Sequence, residues 1–142
     1  MTYLPVDDLS RSVEFLEHMG FVPVTQGLVN DAVVMAFTAQ AGVTLVSKRR
    51  FKHLTKRELA PRDTSEVVVS LVFDERKMVD RMIRRAVTYG VSEYGEAQDY
   101  GTMYARGFVD FDGHLWRLVW LSSNLLHNAD RAGAISATKK PD

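Results

Sequence analysis

The chain repeats its own architecture. A segment that reads strand, helix, then three strands occupies residues 2–48, and the same order returns over residues 66–121. In the first copy, "TYLPVDD" reads as a strand closing in turn-forming acids. "DLSRSVEFLEHMG" then reads as a helix, with Leu9, Val13, Leu16 and Met19 at helical spacing. Asp7 or Asp8 is the expected N-cap, and Gly20 the expected stop. "FVPVTQG", "AVVMAFTA" and "VTLVSK" follow as strands, with turn signals at Gly27, Asn30–Asp31 and Ala41–Gly42. In the second copy "EVVVSLVFD" is a β-branched run suited to a buried strand. "ERKMVDRMIRRAVTYG" is an amphipathic helix with Met78, Met82 or Ile83, and Ala86 or Val87 on its apolar stripe. "VSEYGEA", "TMYARGFVDF" and "LWRLVWL" supply three more strands. Asp8 corresponds to Asp74 and Gly20 to Gly90, a displacement of about 66 to 70 positions.

This plan implies an α+β fold in one domain, residues 1–121. Module 1 covers about 1–48, a charged linker 49–65, module 2 66–121, and a small polar tail 122–142. The 18 basic and 18 acidic side chains cancel, so no net charge draws the chain to nucleic acid or anionic membrane. The basic run "KRRFKHLTKR" reads as a solvated helix face. The absence of cysteine excludes disulfides, thiolate catalysis and iron–sulfur clusters. No apolar run is long enough to span a bilayer, and no secretory leader pattern opens the chain, so a cytoplasmic location is expected.

The densest chemistry lies in "DFDGHLWRLVW", residues 110–120. Asp110, Asp112 and Gly113 read either as a hairpin turn, since glycine takes positive φ cheaply, or as a carboxylate pair. His114 has no partner at ligand spacing and reads as a rim histidine. His18, at a helix end, reads as a favourable C-terminal cation. His53 and His127 lie in polar segments and carry no signal. Along the last strand, Leu115, Arg117, Val119 and Leu121 share one face, while Trp116, Leu118 and Trp120 share the other. An inward arginine needs a partner: an internal carboxylate, or the carboxylate or phosphate of a ligand. Arg106 is a second strand arginine. Tyr3, Met35, Phe37, Met103 and Tyr104 are either core or the walls of an apolar pocket.

"LPVDDLSRSVEFLEHMGF" and "QDYGTMYARGFVDFDGHLWRLVWL" together resemble the vicinal oxygen chelate superfamily. That group includes glyoxalases, bleomycin-resistance proteins, fosfomycin-resistance enzymes and extradiol dioxygenases, and the resemblance is to its bacterial glyoxalase-like branch. It spans roughly residues 2–121 and implies two βαβββ modules in a curled eight-stranded mixed sheet around a cup. It also implies a homodimer. Metal-dependent members carry one ligand on each of four strands. The matching positions here are Met1, Leu45, Val68 and Arg117, and none offers an oxygen or imidazole donor. The expectation is therefore a protein with no metal and no cofactor, binding a small organic molecule in the cup. That ligand is anionic if Arg117 anchors it, and drug-sequestering members of the group set the precedent. Arg117, Tyr3, Leu45, Val68, Met103 and Tyr104 are the expected ligand contacts. An enzyme of glyoxalase or dioxygenase type with a displaced metal site is the second expectation, and a ligand-free scaffold the third.

Overall fold

A computed structural model describes residues 1–24 and 31–124. The first module comprises β1 (Thr2–Val6), α1 (Leu9–His18), β2 (Val22–Val24), β3 (Ala32–Ala36) and β4 (Gly42–Ser47). The short α2 (Lys48–Thr55) follows. The second comprises β5 (Val68–Phe73), α3 (Arg76–Tyr89), β6 (Ser92–Asp99), β7 (Met103–Val109) and β8 (Leu115–Leu121). The two modules share one topology. The sheet orders are β1-β4-β3-β2 and β5-β8-β7-β6, with the first strand of each module parallel to the last and the other pairings antiparallel. The turn signals at Gly27 and Asn30, the tail from 125 onward and His127 lie outside the described residues.

Local chemistry accounts for the helix boundaries. Asp8 caps α1, its carboxylate accepting from the Arg11 backbone N–H at 3.0 Å, and Gly20 leaves the helix at φ +97°. Gly90, at φ +120°, ends α3 in the same way. The buried stripe of α3 is Val79, Met82, Ile83 and Ala86, while Val87 faces solvent. In α1 the deepest residues are Phe15, Leu16 and Ser12, with Leu9 and Val13 at the margin. The linker contains α2, which buries no residue. Its start is tied down through Ser47, whose hydroxyl accepts from the Arg50 N–H, and through Lys48, which pairs with Asp7 at 2.8 Å.

Each sheet turns one face toward α1 and α3, and these two faces share a single core. Leu4, Val6, Met35, Val43 and Leu45 from the first sheet join Leu71, Phe73, Phe108, Trp116 and Leu118 from the second. Aromatic rings cross the boundary. Phe15 of α1 meets Phe108 edge-on at 5.7 Å, Phe21 meets Trp116 at 5.9 Å, and Phe37 meets Phe73 at 5.9 Å. Joining the modules through their helix-covered faces leaves the opposite face of the second sheet turned outward, with Val68 and Val72 exposed, whereas that face of the first sheet buries Thr44 and Val46. The strands consequently hydrogen-bond as two four-stranded sheets, which is how the expected eight-stranded curl is divided.

Candidate functional site

The turn at residues 110–114 is a clasp between the modules. Asp110 Oδ1 accepts from the backbone N–H of Asp112 and His114, and its Oδ2 accepts from the Trp116 indole N–H at 3.0 Å. Burial pushes the Asp110 carboxyl above its usual value, against the pull of His114 and these hydrogen bonds. Asp112 reaches the first module: it accepts from the Asp7 backbone N–H at 2.8 Å and the Ser12 hydroxyl at 3.4 Å. The His114 ring lies 2.7 Å from the Pro5 carbonyl oxygen, which accepts from its Nε2–H. Gly113 sits at φ +88°, and a Cβ there would stand 2.5 Å from the Arg62 carbonyl oxygen. These residues have their hydrogen-bonding capacity spent on the fold. His18 is spent likewise, packed on Tyr89 and donating to the Arg85 carbonyl.

The outward face of the second sheet holds a groove of about 290 Å³. That is at the small end for a ligand site. Register explains its lining. Ser70, Arg117, Gly107 and Tyr94 stand side by side across β5, β8, β7 and β6. Val68 and Leu115 pair below them, and Ala105 and Gln98 above. Gly107 has a structural reason to lack a side chain, since a Cβ would lie 2.9 Å from the Trp116 carbonyl oxygen. With Ala105 it keeps the floor beside Arg117 low.

The two strand arginines have opposite fates. Arg106 points to the helix side and is only 22% exposed, held by Asp80 at 2.7 Å and by both oxygens of Glu93. Burial works against its charge, yet the hydrogen bonds of Asp80 and Glu93 raise its pKa further. Burial likewise opposes ionisation of Asp80, but hydrogen bonds from Arg106 and Tyr104 hold its carboxyl below the usual range. Arg117 is half-buried in the groove, and its Nη2 donates to the neutral Gln98 amide oxygen at 2.5 Å. Among the described residues no carboxylate lies within 4.0 Å of it. The internal carboxylate that a buried arginine invites is therefore absent there, and an amide stands in its place.

The six expected contacts divide. Arg117 and Val68 line the groove together. Met103 is on the same outward face but beyond the groove, and Tyr3 is exposed on the first sheet. Leu45 and Tyr104 require correction: both side chains lie on the helix-covered side. Leu45 is core, and the Tyr104 hydroxyl donates to Asp80 of α3 at 2.8 Å. Tyr94, Glu96, Gln98 and Ser70 complete the groove and were not anticipated. Among the described residues, no three histidines or carboxylates converge as a metal set would. At the four positions that the sequence resemblance matches to metal ligands, a thioether, two aliphatic chains and a guanidinium do not fit a divalent cation.

No family model matches the sequence, and no curated protein matches it. Solved structures do. A hypothetical protein from S. aureus superposes with a TM-score of 0.75 at 24% identity, covering 84% of this chain and 92% of that one. A glyoxalase/bleomycin resistance protein/dioxygenase family enzyme from Burkholderia phytofirmans gives a TM-score of 0.73 at 11% identity, covering 84% and 95%. The chain has the glyoxalase/bleomycin-resistance fold. The fosfomycin resistance protein FosX from Listeria monocytogenes shares it, with a TM-score of 0.64 at 16% identity over 87% of this chain and 92% of that one. Among the described residues, no helix of this glyoxalase-like fold is long and apolar enough to cross a membrane.

Proposed function

We propose that the chain is a metal-independent binding protein that holds a small anionic organic molecule in the groove of its second sheet, with Arg117 as anchor. The supporting observation is the contrast between two arginines on neighbouring strands. Arg106 is neutralised twice over, whereas Arg117 faces the groove hydrogen-bonded to an amide and, among the described residues, paired with no carboxylate. A guanidinium offers five N–H donors in a planar fork, so a ligand carboxylate or phosphate would be gripped by those Gln98 leaves free. Val68, Leu115 and Tyr94 supply apolar walls for the rest of the molecule. A thermal-shift screen of carboxylates and phosphates on wild type and Arg117→Ala tests this. Hits should stabilise wild type and lose their effect in the variant; equal stabilisation of both removes Arg117 from the site. Stoichiometric tight metal in protein purified without chelator would favour an enzyme with a displaced metal site.

A homodimer belongs to the same proposal. β5 is an edge strand with Val72 exposed, an edge that a second copy would cover. Light scattering should give twice the chain mass at micromolar concentration. A monomer throughout would remove this part.

A further inference from the structure

The groove carries a second charge. β6 departs from regular pairing between Tyr94, opposite Gly107, and Gln98, opposite Ala105. Three residues of β6 therefore stand against one of β7, and Gly95 at φ +69° supplies the left-handed step that such a bulge uses. Bulges re-aim side chains, and this one places Glu96 on the groove wall. Glu96 is exposed at the edge of the groove and, among the described residues, has no cation within 4.0 Å, so it and Arg117 are opposite charges along one groove that do not pair with each other. Three other acids near this sheet are engaged: Glu93 and Asp80 by Arg106, and Asp99 by Arg76.

Resting on the reading of this groove as a small-molecule site, we infer that its ligand is dipolar, carrying an anionic group for Arg117 and a cationic group for Glu96. A simple anion is drawn to Arg117 but repelled by Glu96, and a simple cation meets the reverse. A molecule bearing both charges, separated by a short apolar body, is attracted at both ends. Tyr94 and Leu115 line the groove and suit such a body. Small amino acids with separated charges and betaine-like compounds have this chemistry.

Three probes of matched shape test the inference by calorimetry on the full chain: para-aminomethylbenzoate, para-toluate and para-methylbenzylamine. The dipolar probe should bind wild type about tenfold more tightly than para-toluate, the scale of one charge-assisted hydrogen bond. Glu96→Gln should abolish that preference while leaving para-toluate binding equal or stronger. Arg117→Gln should weaken both. If wild type binds para-toluate as tightly as the dipolar probe, or the preference survives Glu96→Gln, the dipolar inference falls and the anion-binding reading stands. Tightest binding of para-methylbenzylamine, or binding of none of the three, overturns both.

Discussion

Asp110 shows how a residue that looks catalytic can be wholly structural. Its two oxygens accept three N–H groups, two from the turn backbone and one from an indole. Asn at this position offers one acceptor oxygen and one donor amide, so a buried N–H must face another N–H. Asp110→Asn should destabilise the fold by about 1–3 kcal/mol, measured by urea unfolding. The loss should also depend on pH. Burial raises the Asp110 pKa in the fold, so its ionisation opposes folding: its contribution is most favourable below the usual 3.8 and declines as pH rises through the folded value. Asp7, held low first by Lys48, and Asp99, held low first by Arg76, act in the opposite sense. They favour the fold above 3.8, and that contribution is lost as pH falls through their folded values. The Asp110→Asn deficit should therefore be larger at about pH 4 than at neutrality. A deficit that shrinks in acid would contradict the burial argument. The sequence showed the Asp-Gly turn plainly, because positive φ at a glycine is a local demand. It could not show that Asp112 and His114 reach the first module, because their partners lie more than 100 positions away.

Strands and helices announce themselves through period. The alternation of β8 correctly separated Arg117 from Trp116, and the glycine stops located both main helix ends. Period locates the apolar side of a helix but is less decisive about which residue on that side lies deepest. Phe15 and Val79 were missed in favour of neighbours one or two positions away, although both are almost fully buried. Phe15 packs against Tyr89, Phe108 and Phe111 at 5.4–5.7 Å, and so joins α1 to the second module. Phe15→Ala should cost about 3–5 kcal/mol in denaturant unfolding, whereas Val87→Ala, on the exposed side of α3, should stay within about 0.5 kcal/mol. α2 was read from its basic run as a solvated helix face, and it buries no residue. Leu45 and Tyr104 were named as contacts with the parity of their strands left open, and Met103 and Tyr104, being adjacent, cannot both face one side. A register displaced by one residue turns every side chain over.

Which faces meet is a property of the whole molecule, and periodicity does not contain it. The sequence supported two modules and a cup, but the groove is built from the second module alone. Its polar walls come from β6, where Gln98 lies beyond the strand end expected from "VSEYGEA" and Glu96 owes its position to a bulge. The modules instead share one core and the Asp112 clasp. Asp112→Ala should lower stability by about 2 kcal/mol, since two donors lose their acceptor. It should still leave one cooperative unfolding transition, because the common core couples both halves. Separate transitions for the two modules would show that the coupling had been overstated.

That shared core makes the connecting segment chiefly a tether. Its exposed stretch, Asp63 to Glu66, sets how concentrated one half is in the presence of the other. Cutting the backbone there should yield two fragments that recombine into the native fold. The melting temperature of the nicked protein would then rise with its concentration, while that of the intact chain would not. In this sense the molecule is a pair of bound partners whose local concentration has been fixed by a peptide bond.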